Sequence, residues 1–210
     1  LTTATKRVQR ENEALEHRLA DTTAEVTRLR RRLEQVRRDA MTDGLTSLAN
    51  RKAFDEALQR ACAQADAKGD PLCLAVLDID HFKAFNDTWG HQTGDQVLRY
   101  VASVIGRAGL SPRTAARYGG EEFALIFPGE AARSALTVLE DIRAEVASRV
   151  LKRRSTNEDL GAVTLSAGLA ERHGSEPPAS LIERADAALY ESKRGGRNRT
   201  SAADPIAAAA

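Results

Sequence analysis

Residues 114–127 read Thr-Ala-Ala-Arg-Tyr-Gly-Gly-Glu-Glu-Phe-Ala-Leu-Ile-Phe, two strand-like runs around adjacent glycines. Two glycines between such runs are a strong hairpin signal, and the spacing predicts strands over 114–118 and 122–127. Working outward, residues 72–77 form a short apolar run that ends in Asp78-Ile79-Asp80. That pattern suits a buried strand with carboxylates at its C-terminal end. A further strand is expected over 162–169. Between the strands, helical patterns occupy 50–68, 81–87, 95–107, 130–150 and 179–193, the first of them stopped by Gly69 and Pro71. Strands and helices that mix around one clear hairpin indicate an α+β class: a mostly antiparallel central sheet flanked by helices.

Composition narrows the chemistry. The 210 residues carry 31 Lys plus Arg against 30 Asp plus Glu, a formal charge of +1, so any polyanion must be held by a local site. Nothing here calls for nucleic acid as a partner. No apolar run approaches the roughly 18 residues of a membrane span, and the start lacks a signal-peptide core. Direct membrane contact is therefore not expected of this segment. Cys62 and Cys73 are too few for a disulfide framework or a structural zinc site. They are read as reduced and buried, which suits a cytoplasmic location.

Before Ala40 there is neither Gly nor Pro. Apolar residues recur there at alternating steps of three and four, the signature of a coiled coil sustained for about five heptads. Asn12, Leu19, Val26, Leu33 and Ala40 take the a positions, and Val8, Leu15, Thr22, Leu29 and Val36 the d positions. An Asn at a favours a parallel, in-register dimer. Such a helix would run about 60 Å. Arg28, Arg30, Arg31, Arg32, Arg37 and Arg38 lie among Glu25, Glu34 and Asp39 on its outer side, and the apolar seam passes straight through them. This reads as a solvated helix surface rather than a DNA-binding basic region. The chain begins with Leu, and the rod is expected to continue upstream into a sensory domain.

Two acidic pairs suggest chemistry. Alternation sends Asp78 and Asp80 to one face of their strand, and only one of Glu121 and Glu122 shares a face with them. Carboxylates gathered at strand ends without a His or Cys cluster are hard oxygen ligands suited to Mg²⁺, with Mn²⁺ as a substitute. Unneutralised, they would repel and raise one another's pKa. Each pair alone reads equally as solvated strand-end acids. Beside them, Gly119-Gly120 would let a large ligand approach the backbone. Lys193 near a helix C-terminus could simply meet the helix dipole, or with Lys83 it could grip a polyphosphate.

Four ordered blocks carry a resemblance. Arg117-Tyr-Gly-Gly-Glu-Glu-Phe123 is preceded by Thr42-Asp43-Gly44-Leu45-Thr46 with Asn50-Arg51. Leu77-Asp78-Ile79-Asp80-His81-Phe82-Lys83 leads to Gly90-His91 and Gly94-Asp95, and Lys193 with Arg197 closes the set. The chain thus resembles the GGDEF diguanylate cyclases, in the variant with Glu in the third signature position, over about residues 41–200. The resemblance implies a fold of the nucleotidyl-cyclase kind and the condensation of two GTP into cyclic di-GMP and two pyrophosphates across a homodimer. It implies that Asp78, the Ile79 carbonyl, Glu121 and Glu122 hold the metal, with Glu121 also accepting the 3′-hydroxyl proton. Asn86 and Asp95 would read the guanine, with His91 and Gly120 in the substrate stretch. Lys83, Lys193 and Arg197, helped by backbone amides at His81 and Phe82, would hold the phosphates. Asp95 reads equally as an N-cap of the helix over 95–107, and Asp43 with Arg51 as a structural pair. The expected organisation is a dimeric signalling coil over 1–40, a cyclase domain over 41–200 and a flexible tail over 201–210. A catalytically silent nucleotide-binding sensor is the alternative. Many relatives carry an inhibitory Arg-x-x-Asp motif whose Asp lies six residues before the first signature glycine; here Leu110 and Arg113 stand in its place, so product feedback there should be weak or lost.

Overall fold

The computed structural model describes residues 2–152 and 158–203, with side chains other than those of residues 2–14, Arg37 and Arg38. Two compact units are present, Leu1–Ala40 and Met41–Ala210.

The first unit is taken up by helix α1, Thr2–Met41. Leu15, Leu19, Val26, Leu29, Leu33 and Val36 are all exposed along it, an apolar seam left in water by a single chain. Thr22, at a seam position, bonds its own helix by donating Oγ1 to Arg18 O at 2.8 Å. The expected seam residues Val8 and Asn12, and the expected surface residues Arg37 and Arg38, lie outside the described side chains. Among the described residues no helix is long and apolar enough to cross a membrane.

In the second unit a five-stranded sheet runs in the order β2-β3-β1-β6-β7. Its strands are β1 (Leu72–Ile79), β2 (Thr114–Arg117), β3 (Glu122–Pro128), β6 (Leu165–Glu171) and β7 (Thr200–Ala202). All pairings are antiparallel except β6 with β7. Strand β1 is buried along its whole length because both faces are covered. Cys73, Ala75, Leu77 and Ile79 pack with α4 (His91–Ala108) and α5 (Ala132–Ser148), while Leu72, Leu74 and Val76 pack with α2 (Arg51–Lys68) and α6 (Pro178–Arg194). Continuing that alternation, Asp78 and Asp80 belong to the α6 face.

Local chemistry sets the ends. Asn50 caps α2 by accepting from Ala53 N at 3.0 Å, and Gly69 closes it in the left-handed region at φ 72°. The expected helices over 81–87 and 95–107 become α3 (Phe82–Trp89) and α4, joined by Gly90 alone. Gly90, at φ 80°, donates to Asn86 O and accepts from Thr93 and Gly94 N, so one residue ends α3 and starts α4. Asp95 is therefore inside the helix and not its N-cap. Helix α5 ends at Ser148, and a separate hairpin of β4 (Val150–Lys152) with β5 (Asp159–Ala162) fills the stretch before β6. The expected tail loses its first residues to β7, whose parallel pairing needs the α6 crossover and so is invisible to local pattern. Residues 204–210 lie outside the described residues.

Candidate active site

The β1–β3 register sets Asp78 opposite Glu122, and Ile79 N donates to Glu121 O at 3.4 Å. The two acidic segments therefore meet at the C-terminal end of β1. Asp78 is buried and receives Lys193 Nζ at 3.0 Å from the last turn of α6. Burial pushes the Asp78 carboxyl up, the Lys193 hydrogen bond and charge pull it back, and Glu122 and Asp80 raise it further; the net direction is upward. Burial and then the Asp78 charge raise Glu121, which Lys193 only partly offsets. One ammonium thus faces several carboxylates. Among the described residues no three His, Cys, Asp or Glu side chains converge closely enough to hold a metal ion. The backbone brings Asp78, Ile79, Glu121 and Glu122 together, then, without gathering their side chains into a finished ligand set. Their all-oxygen, excess-negative character nevertheless fits a hard divalent cation, which would relieve the repulsion that Lys193 relieves in part.

Asp80, two residues on, is occupied differently. Its Oδ2 accepts from Thr164 Oγ1 at 2.7 Å and from Asn198 N at 3.0 Å, and its Oδ1 accepts from Ser166 Oγ at 2.7 Å. Asp80 is thereby a clamp between β1, β6 and the loop after α6. That loop turns sharply: Arg197 and Asn198 have φ of 63° and 47°, and Arg197 N donates to Ser192 O at 3.0 Å. Lys193 lies in the last turn of α6 and Arg197 within the turn itself. The sequence shows Asp80 on the right face but gives no sign of its three donors, which come from segments more than 80 residues away.

The signature hairpin forms with Arg117 opposite Phe123. Neither tip glycine uses a positive φ. A side chain at Gly119 would run into Glu122 Oε2, whereas Gly120 faces open space, so the first glycine makes room for a carboxylate and the second leaves the tip bare. Arg117 steadies the tip by donating Nη2 to Gly120 O at 2.6 Å and reaches Asp43 at 3.3 Å. The expected Asp43–Arg51 pair is thus replaced. Asp43 also accepts from Thr46 N and Oγ1, and although burial raises its carboxyl, the Thr46 bonds and Arg117 outweigh it and leave it below the usual range. Arg51 lies over the Tyr118 ring instead, 4.7 Å from its centroid.

The remaining expected residues lie on α3 and α4. His81 stands before α3 at φ 57°, Phe82 is buried and stacked on Phe85, and Lys83 is exposed. His91 opens α4 and is exposed; Asp95 is half-buried one turn later. Asn86 Oδ1 is buried without a hydrogen-bond partner, a condition worth about 1–3 kcal/mol against the free protein. It lies against Gly94, a residue that costs α4 about 0.5–1 kcal/mol relative to alanine.

Away from these groups, Arg113 is engaged twice by Glu130, Nε to Oε1 at 2.6 Å and Nη2 to Oε2 at 2.9 Å. Leu110 is 72% exposed.

Residues 40–199 match the protein family described as diguanylate cyclase, GGDEF domain. The chain is 39% identical over 199 residues to the diguanylate cyclase VdcA of Vibrio cholerae serotype O1, covering 95% of this chain and 58% of that protein. It is 38% identical over 171 residues to the response regulator PleD of Caulobacter vibrioides, covering 81% of this chain and 37% of PleD. The chain thus spans little more than half, or less, of these relatives. Among solved structures, the coiled coil and GGDEF domain of DgcB from Caulobacter crescentus in complex with c-di-GMP is 72% identical, with a TM-score of 0.85, covering 90% of this chain and 98% of that one. The active GGEEF domain of a Vibrio cholerae diguanylate cyclase is 32% identical, with a TM-score of 0.68, covering 76% of this chain and 99% of that one.

Proposed function

Because the chain belongs to the GGDEF family of diguanylate cyclases, we propose that its globular unit condenses two GTP into cyclic di-GMP and two pyrophosphates across a homodimer. Each domain binds one GTP, and chemistry needs two domains face to face. The 3′-oxygen of one nucleotide attacks the α-phosphorus of the other, Glu121 takes the hydroxyl proton, the bond to the β-phosphate oxygen breaks, and pyrophosphate leaves. The step is then repeated with the roles exchanged.

Asp78, the Ile79 carbonyl, Glu121 and Glu122 are the residues that would hold Mg²⁺ or Mn²⁺. When bound, the metal supplies charge neutralisation at the α-phosphate and a lowered hydroxyl pKa. Lys83, Lys193 and Arg197, with the first amides of α3 at Phe82, bind the departing phosphates. Asp95 accepts from guanine N1–H and the 2-amino group, a pair of donors adenine lacks; Asn86 and His91 complete that wall, and Gly120 leaves the tip open to the nucleotide. The observation that carries this reading is the meeting of Asp78, Glu121 and Lys193 at one strand end, with both carboxyls raised by burial and crowding.

The exposed apolar seam of α1 supports a parallel coiled coil as the dimer contact, raising the effective concentration of one domain for the other. An upstream sensor would act by shifting the register of that coil, in a cytoplasmic setting. With Leu110 and Arg113 in place of the inhibitory pair, feedback by product at that position is weak or absent.

The test is incubation of the purified protein with Mg²⁺ and GTP or ATP, with products identified by mass and dimerisation followed by sedimentation. Cyclic di-GMP from GTP alone is expected. GTP returned unchanged by a confirmed dimer would instead favour a silent nucleotide-binding module.

A further inference from the structure

The guanine-reading role given to Asn86 depends on how its carboxamide is seated between α3 and α4. Its Oδ1 fills the space that a side chain at Gly94 would take: a Cβ there would overlap that oxygen and come within 3.0 Å of Asn86 Cγ and 3.2 Å of Phe82 Cζ. The glycine is not required by its backbone, which is helical, with N donating to Gly90 O at 3.1 Å. Space alone explains it. Nor is there slack for α4 to move away, because Gly90 N donates to Asn86 O at 2.8 Å and Thr93 Oγ1 donates to Trp89 O at 2.8 Å, binding the two helices at their junction. On the far side, Phe82 is buried and stacked on Phe85.

We propose that Gly94 is a positioning residue for base selection: by presenting no side chain, it seats the Asn86 carboxamide in the plane from which guanine is read. The proposal rests on the GTP-binding reading above and deepens it. A carboxamide offers one acceptor edge and one donor edge. Held against Gly94, it keeps its plane, and a half-turn about Cβ–Cγ exchanges the edge that is buried for the edge that is open. The unpartnered Oδ1 thereby becomes available to the guanine 2-amino group without movement of either helix. Asp95 follows Gly94 on α4, so the carboxylate assigned to the same base edge comes from the adjacent residue. A methyl at 94 drives the amide out of this seat and leaves Asp95 to read alone.

The experiment measures affinity for GTP and for ITP, which lacks the 2-amino group, by titration calorimetry. The proteins are the wild type, Gly94→Ala, Asn86→Ala and the double variant, each with a thermal melt. Gly94→Ala is expected to weaken GTP about tenfold and ITP much less, reducing the preference for GTP to what Asp95 alone supplies, on the scale of one hydrogen bond. In the Asn86→Ala background the nearest atom left to the same methyl is Phe82 Cζ at 3.2 Å, and it should change neither affinity by more than about twofold. GTP and ITP weakened alike, or a methyl as harmful in the Asn86→Ala background as with Asn86 intact, would make Gly94 a packing residue and overturn the proposal. Should Gly94→Ala fail to fold, the double variant decides: it must melt with Asn86→Ala and share its GTP-to-ITP ratio, and failure on either count is refutation. Wild type that binds neither nucleotide would overturn the reading of the whole site, whereas tight GTP binding indifferent to Gly94 would overturn this proposal alone.

Discussion

The two ends of β1 are built on opposite electrostatic plans. At its N-terminal end charges are matched: Arg113 forks onto Glu130, Arg172 onto Asp66 at 2.7 and 3.1 Å, and Arg184 meets Glu176 at 2.8 Å. Even the thiol there is quiet, since burial, with Glu171 and Glu130 nearby, pushes Cys73 up to about 12. At the C-terminal end Asp78 and Glu121 are held above their ordinary range with one ammonium between them. Matched pairs fix a fold; unmatched carboxylates mark where a ligand's charge completes the structure. At that end the carboxylates outnumber the cation that meets them, and they are held above their ordinary range.

The sharpest way to break this contrast is Glu121→Gln. Loss of the proposed proton acceptor should cost turnover about 10²–10⁴-fold, measured by pyrophosphate release. Stability should move the other way. A carboxylate whose folded pKa is raised contributes stability below its unfolded pKa and loses it as pH rises through the folded value, so at pH 7 the ionised group is a burden. The variant should melt at the same temperature as the wild type or above it. A melt several degrees lower would show that Glu121 is part of the framework and that the contrast is false.

Asp80 sharpens the comparison, since it lies at the unmatched end yet is fully bonded. Asp80→Ala strands three donors, Thr164 Oγ1, Ser166 Oγ and Asn198 N. At about 1 kcal/mol each the loss is about 3 kcal/mol, or about 6–12 °C of melting temperature. Amide exchange at Asn198 should accelerate in step, because the loop carrying Arg197 loses its tether. A stability loss as small as that of Asp78→Ala would place both aspartates in one class.

The division between the two aspartates also shows what a sequence can and cannot display. Alternation along 72–80 places Asp78 and Asp80 on one face correctly, and the diglycine run announces the hairpin, because both patterns are local. The meeting of Asp78 with Glu121 follows once those two strands are taken as neighbours. What separates the roles of the two acids is distant: Lys193 reaches one, while Thr164, Ser166 and Asn198 reach the other. The pairing of Asp43 with Arg117 rather than Arg51 is of the same kind, as is β7, three residues that are a strand only because β6 is beside them. Gly94 is the hardest to see, since within a helical pattern a glycine reads as a weakness until Asn86 is found in its place.

At the matched end the expected effects are smallest. Glu130 is held below its usual range first by the Arg113 hydrogen bond, against a burial that works upward, with Ser134 assisting. A carboxylate lowered in the fold stabilises above its unfolded pKa and loses that contribution as pH falls through the folded value. Arg113→Ala should therefore cost about 0.5–1 kcal/mol at pH 7, a figure discounted for the partial exposure of both groups, and less at an acid pH, as Glu130 takes up its proton. Urea melts at the two pH values measure the difference. Because Glu130 already occupies both prongs of the guanidinium, the substitution should leave turnover and the response to added cyclic di-GMP unchanged. A product response that depends on Arg113 would mean that this ion pair opens for a ligand, and the matched end of the strand would then be a second regulated site.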